Sequence, residues 1–268
     1  FLVSTSILGR FRSELCDAVT GGAGSQSILE ALDRENLFLV ALDEQRVWYR
    51  YHHLFAELLR HRLRLKRGAE EIAVMHLQAG HWLEKAAHIP EAMRHFLAAE
   101  AFAEALRVIE EQYVTILTRG GLRMLMGWVS RVPEEAVSRN AGACIALGSI
   151  SAWAGRAVEA ERRFTQADKM LDAAERKGES TSARVLRGTA SAMRAFLAEF
   201  AGQTTRAIEL ARKADELLPG ELVMTRSLIP YILSRAYRHQ GDLEQAENCL
   251  GQHIQLARAA DNTWSLAG

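Results

Sequence analysis

From about Ala69 onward one spacing recurs: a glycine, four residues, an alanine, and seven residues on a second alanine. Gly155, Ala160 and Ala167 fit it, as do Gly202, Ala207 and Ala214. Gly241 and Ala246 fit it too, but His253 stands where the second alanine belongs. Degenerate copies lie upstream, in AHIPEA ending at Ala92 and EAFAEA ending at Ala105. A glycine lets a chain leave a helix through a left-handed turn without a Cβ penalty. An alanine on the next helix lets two helix backbones approach closely. Each unit therefore reads as a helical hairpin that cannot bury its own apolar stripe and must stack on its neighbours. Gly155 and Gly202 are 47 residues apart, and Gly202 and Gly241 are 39 apart. Both intervals exceed the roughly 34 of a tetratricopeptide repeat, so longer helices are expected.

The rest of this stretch agrees: apolar residues are spaced by three or four, and the chain has only 4 prolines. The segment 140–155 (NAGACIALGSISAWAG) carries no charge, yet it is shorter than the roughly 20 apolar residues of a membrane span. It reads as a helix buried on all sides by other helices. No membrane association is expected. Trp264 to Gly268 resembles the opening of another repeat, and the chain starts at Phe1 without a signal sequence. It is therefore read as a fragment.

The first 66 residues have another texture. SQSILEALDRENL, from Ser25 to Leu37, has helical spacing, with Ser25 as an N-cap after GGAG. FLVAL (Phe38 to Leu42) and VWYRY (Val47 to Tyr51) are strand-like, and Asp43 to Arg46 joins them, so they read as a hairpin. HHLFAELLRHRL then returns to helical spacing through Leu54, Phe55, Leu58, Leu59 and Leu63. Helices, a hairpin wing and a helix are the order of a small winged-helix-like module. The fold class is thus mostly α: a winged-helix-like module over 1–66, then an α-helical hairpin (tetratricopeptide-like) solenoid over 67–268.

Lys plus Arg number 33 and Asp plus Glu number 33, so no global field draws the chain to nucleic acid or an anionic membrane. Three distant cysteines, Cys16, Cys144 and Cys249, fit reduced thiols in a cytoplasm better than a disulfide framework or a zinc site. His52 and His53 point about 100° apart on a helix and have no ligand cluster beside them, so no metal is expected. His81, His88 and His95 recur every seven residues but straddle Pro90. The run from Arg60 to Arg67 wraps round its helix, and a helix C-terminus favours such cations by roughly 0.3–1 kcal/mol each. The helix Ser25–Leu37 carries Glu30, Asp33 and Glu35 against Arg34, a poor match for phosphate, so the wing should touch protein and not duplex. No nucleophile elbow or phosphate loop appears, and GGAGSQS lacks the lysine, so no enzyme is expected. Aligning the repeats on their glycines puts Tyr231, Arg235, Arg238 and His239 on a groove-facing part of one helix. Arginine and aromatic rings there suit a sugar, a phosphate or a peptide carboxylate.

FLVSTSILGRFRSELCDAVTG, ENLFLVALDEQRVWYRYHHLFAELL and GLRMLMGWVSRVPEEAVSR, in that order, resemble the MalT-like large ATP-binding regulators of the LuxR class. The resemblance implies a bacterial cytoplasmic transcription activator. Its order would be a signal-transduction ATPase, a winged helix, a repeat array that receives an effector and a DNA-binding C-terminal domain. It also implies a nucleotide sensor: related ATPases carry Met-His-Asp where this chain has Tyr51-His52-His53, which makes His52 the candidate contact to the β-phosphate of ADP. No cofactor is then expected in the fragment, but ATP or ADP in the full-length protein. The expected partners are a small-molecule or protein effector on the repeat groove, the chain's own ATPase domain and further copies of itself on activation. The alternative is a helical-repeat scaffold that binds a protein partner and senses no small molecule.

Overall fold

The computed structural model describes residues 1–35, 37–175 and 181–259. The repeat-like segment Trp264 to Gly268 lies outside them. Two compact units divide the chain, 1–105 and 106–268.

The first unit begins with three short helices: α1 (Leu2–Thr5), α2 (Ser13–Thr20) and α3 (Ser25–Arg34). Gly24, in the left-handed region, is the N-cap of α3, one residue earlier than the sequence implied. Ser25 is buried inside the helix, and its N–H donates to the Asp17 carboxylate at 3.0 Å, so a side chain from α2 supplies the acceptor. The strands β1 (Leu39–Ala41) and β2 (Tyr49–Tyr51) pair antiparallel, Leu39 opposite Tyr51 and Ala41 opposite Tyr49. Phe11 adds a third backbone, exchanging both hydrogen bonds with Tyr49 at 2.8 Å. Asp43 ties the wing turn by accepting the N–H groups of Val47 and Trp48 at 2.7 and 3.0 Å. Phe11, Leu15, Cys16 and Leu29 are fully buried beneath this wing.

α4 (His53–Lys66) follows. It buries Ala56, Leu59 and Leu63 and leaves Leu54, Leu58 and Leu65 exposed, so only part of its apolar sequence faces the core. α5 (Ala69–Lys85) packs on α2 and forms a hairpin with α6 (Ile89–Ala98). The first compact unit thus takes in a hairpin whose texture is that of the array.

The division falls within α7 (Phe102–Thr118). Beyond it come α8 (Leu122–Val129), α9 (Glu134–Val137), α10 (Ala141–Trp153), α11 (Ala157–Glu175), α12 (Thr181–Phe200) and α13 (Thr204–Leu217). α14 (Val223–Arg226), α15 (Leu228–Gln240) and α16 (Leu243–Ala259) complete the described chain. The pairs α10–α11, α12–α13 and α15–α16 are hairpins, with α10 on α12 and α12 on α15. α10 is the uncharged segment, and every residue from Ala143 to Ala152 is buried. Its N-cap is Asn140, which accepts the Ala143 N–H at 3.2 Å.

The glycine spacing has a clear physical basis. Gly155, Gly202 and Gly241 are left-handed, with φ of 73°, 71° and 83°, each between two helices. The upstream copies use the same turn without a glycine: Ala87 and Glu100 have φ of 60° and 54°. Gly120, with φ of 77°, makes another such turn. In all of these the next residue's N–H reaches the carbonyl five residues before it at 2.8–3.0 Å, as from His88 to Leu83 and from Asp242 to Tyr237. That is the Schellman closure of a helix C-terminus. Five residues past each turn lies a buried side chain: Ala92, Ala105, Leu125, Ala160, Ala207 and Ala246. Leu125 hid the Gly120 copy from a search for alanine.

A second register exists in two hairpins. Gly80 lies 7 before Ala87 and faces Phe96, 9 after it; Gly148 and Phe164 hold the same positions around Gly155. A Cβ on Gly80 or Gly148 would fall 2.5 or 2.6 Å from a ring carbon, so the missing side chain is the socket for the ring.

Among the described residues no helix is long and apolar enough to cross a membrane. Nor does any group of three or more His, Cys, Asp or Glu side chains there form a metal cage. The three cysteines are free and buried, and burial pushes the Cys16 thiol up to about 12.

Candidate functional site

Two places collect the residues singled out in the sequence, one in each unit. In the first unit, His52 occupies the hairpin-to-helix junction. Its N–H donates to the Phe38 carbonyl at 2.8 Å and its carbonyl accepts from Ala56 at 2.9 Å, so its backbone is fixed from both sides. Phe38 stacks on Phe55 with centroids 4.8 Å apart, and Tyr51 packs on Phe11 and Phe55. The Tyr51 hydroxyl lies 2.6 Å from the Thr5 hydroxyl. The His52 imidazole is exposed and makes no hydrogen bond among the described residues; its ring centroid is 4.5 Å from that of His53. No side chain caps the α4 N-terminus, so an exposed imidazole on a fixed backbone stands beside free helix N–H groups. This arrangement can receive an anion. Beside it Leu54 is 63% and Phe38 58% exposed, and Leu65, at the far end of α4, is 73% exposed.

The heptad histidines do not converge. His81 meets the edge of Phe96, His88 that of Trp48, and the His95 Nδ1 lies 2.8 Å from the His76 Nδ1. Burial pushes His95 down to about 3 and lowers His76 as well. His95 belongs to the core, whereas His76, His81 and His88 are only partly buried. At the end of α4, Arg60 donates to the Ser6 carbonyl at 2.9 Å and Arg67 pairs with Glu71 at 3.1 Å. Both cations thus have partners within the fold.

In the second unit a groove of about 650 Å³ runs between α15 and α16, lined by Tyr231, Ser234, Arg235, Arg238, His253 and Arg258 among others. Three of the four residues inferred from the repeat alignment meet there: Tyr231, Arg235 and Arg238. His239 is outside the lining, exposed, with Nδ1 3.9 Å from Glu199 Oε1. Arg235 is also a structural strut. Its Nε sits 2.8 Å from the buried Glu199 carboxylate, an ion contact without a well-aligned hydrogen bond. Its guanidinium lies over Phe200 and Tyr231 at 5.2 and 5.8 Å. Arg238 and Arg258 pair with no carboxylate among the described residues, so they carry the groove's free positive charge.

His253 and Arg258 are groove residues that the sequence reading did not assign. His253 carries the clearer signal. It is buried, and its Nδ1 lies 2.7 Å from the Ser227 carbonyl, so Nδ1 carries the hydrogen and Nε2 is left to accept. Its departure from the alanine pattern was the available signal. The groove is open for a related reason. Around Gly241 the socket and plug positions hold Ser234 and Leu250, and Leu250 remains 46% exposed where Phe96 and Phe164 are fully buried.

The chain is therefore a winged helix followed by stacked α-hairpins. A family model described as the MalT winged helix domain matches residues 1–72. That match covers the wing, the His52 junction and all of α4, and it supports a MalT-like regulator.

Proposed function

We propose that this chain is the regulatory portion of a bacterial, ATP-dependent transcription activator of the MalT type. The observation that carries the reading is the MalT winged-helix match over 1–72 running directly into an α-hairpin array. In this reading the winged helix closes a signal-transduction ATPase, and its contacts are to protein. The net negative charge of α3 and the exposed Leu54, Leu58 and Leu65 on α4 support that, because an apolar helix face suits a protein surface better than a phosphate backbone. His52 reads the nucleotide: an exposed imidazole beside an uncapped helix N-terminus is apt for the β-phosphate of ADP. The chain itself performs no catalysis, binds no cofactor alone and acts in the cytoplasm.

The array receives an effector in the α15–α16 groove. Arg238, Arg258 and Tyr231 favour a ligand that carries a carboxylate, a phosphate or a sugar. Occupancy would favour one array-to-ATPase arrangement by differential affinity, release ADP and allow ATP-dependent self-association and DNA binding through a C-terminal domain. The experiment is nucleotide exchange in the full-length protein. His52→Ala should speed ADP release severalfold with the fold intact, and an unchanged off-rate rejects the sensor role. A second reading, a repeat scaffold for a protein partner, draws support from the exposed Leu243 and Leu250 of α16. A metabolite screen that leaves the melting temperature unmoved, beside a tight protein partner, would favour it.

A further inference from the structure

We propose that the second unit carries a binding site for a small organic cation with an apolar end, seated between α7, α10, α12 and α14. The site is separate from the α15–α16 groove and does not depend on the regulator reading.

α14 and the turn before it act as a strap across the helices. Arg226 anchors its base, donating to the Leu218 carbonyl at 2.6 Å and pairing with Asp215. Its far side reaches α7, where the Thr118 hydroxyl lies 3.6 Å from the Met224 sulfur. Beneath the strap is a chamber of about 70 Å³ with Leu117, Trp153, Met193 and Leu228 on its walls. That exceeds the volume one water needs, and the walls are largely apolar, the kind of space a ring or a branched alkyl group fills. Three of its hydroxyls already donate within the fold: Thr118 to the Thr115 carbonyl, Thr189 to Val185 and Ser227 to Met224. Their oxygens can still accept, so the chamber tolerates a donor on the ligand.

The chamber opens into an outer groove of about 510 Å³, and the two share Tyr113, Val114, Thr189, Met224 and Thr225. Among the described residues no Lys, Arg or His lines either space, whereas Glu110, Glu111 and Glu221 line the outer one. The arginines on α12 are held elsewhere: Arg184 at the Glu216 carbonyl, Arg187 at Asp172 and Glu175, and Arg194 at Glu161 and Asp168. Glu111 is paired with Arg107, but Glu110 pairs with no cation among the described residues. It accepts a hydrogen bond from Asn140 at 2.8 Å, and Gly142 leaves room for its other oxygen, since a Cβ there would fall 2.2 Å from it. Burial raises its pKa, which an arriving cation would reverse. Glu110, Tyr113, Val114 and Leu117 follow one face of α7 at helical spacing. The charge is therefore one to two turns, roughly 5–11 Å, from the chamber. That is the span of an arylalkylamine.

The test titrates the 268-residue chain with three probes of one shape, 2-phenylethylamine, 2-phenylethanol and phenylacetate, followed by ligand-observed NMR and calorimetry. The amine should bind about tenfold more tightly than the alcohol, and phenylacetate not at all. Glu110→Gln should bring the amine down to the level of the alcohol and leave the alcohol unchanged. Gly142→Ala, which displaces the same carboxylate from the opposite side, should do likewise, and Thr189→Leu, which fills the chamber, should weaken both ligands. Equal binding of amine and alcohol, an amine affinity indifferent to Glu110→Gln and Gly142→Ala, or silence from every probe would overturn the proposal.

Discussion

Replacing Gly148 by alanine asks whether the hairpins are closed by a ring seated in a socket. The substitution is normally favourable in a helix interior, by about 1 kcal/mol. Here the new Cβ would lie 2.6 Å from Phe164 Cε1, 2.9 Å from Cδ1 and 3.1 Å from Arg163 Cβ. Ordinary contact needs nearly 1 Å more, and the Phe164 ring, fully buried, has no free space to move into. Overpacking of this kind costs about 1–3 kcal/mol, so the net change should be a loss of up to about 2 kcal/mol after the propensity gain is subtracted. Gly251, in the middle of α16, provides the control: a Cβ there meets nothing within 4 Å. Gly251→Ala should therefore stabilise by up to about 1 kcal/mol. Urea unfolding of both variants gives opposite signs for one chemical change. Adding Phe164→Leu to Gly148→Ala should recover part of the loss, as a double-mutant cycle would show. If Gly148→Ala behaves like Gly251→Ala, the ring does not define the spacing and the register shared with Gly80 and Phe96 is coincidence.

The buried His76–His95 pair should make the protein acid-sensitive. His95 is held near 3 in the fold against about 6.5 unfolded, so the unfolded chain takes the proton first, and stability is whole above pH 6.5 and lost as pH falls towards 3. Lowering pH from 7 to 5 should cost about 2 kcal/mol through His95, with His76 acting in the same direction. Thermal melts across this range should show that loss, and His95→Gln should flatten the slope; a parallel slope in the variant places the titration elsewhere. At the left-handed turns, Ala87→Gly should stabilise by about 0.5–1 kcal/mol by removing the Cβ penalty, and Gly202→Ala should cost about 1 kcal/mol. Equal unfolding midpoints for both variants and the parent would contradict the Schellman reading.

What could be read in the sequence was local. The turns at Gly155, Gly202 and Gly241 and the wing of short strands follow from contacts within one hairpin, where spacing along the chain equals spacing in the fold, and the buried helix α10 is marked by its lack of charge. The copies at Ala87 and Glu100 were visible through their alanines, although no glycine marks them. The α3 cap was misplaced by one residue because its acceptor, Asp17, comes from another helix. Helical spacing alone did not divide the apolar residues of α4 between core and surface, and only packing decides that Leu59 is buried and Leu58 exposed.

The sites were less legible in proportion to how many elements build them. Tyr231, Arg235 and Arg238 come from one helix, and a repeat alignment places them; His253 comes from its hairpin partner and appeared only as a broken pattern. The chamber draws on α7, α10, α12 and α14, and Thr118 and Met224 are 106 residues apart. α14 has four residues and no periodicity to betray it. Such a strap changes what a solenoid can do. An open array offers a wide concave surface, which suits a peptide or another protein. Closing one stretch with a short helix held by Arg226 converts part of that surface into an enclosed volume with its own charge preference. Among the described residues the α15–α16 groove carries unpaired Arg238 and Arg258 beside Glu247, and the α7 chamber opens past unpaired Glu110, so the two addresses of one array differ in charge. A ligand accepted by one should be rejected by the other.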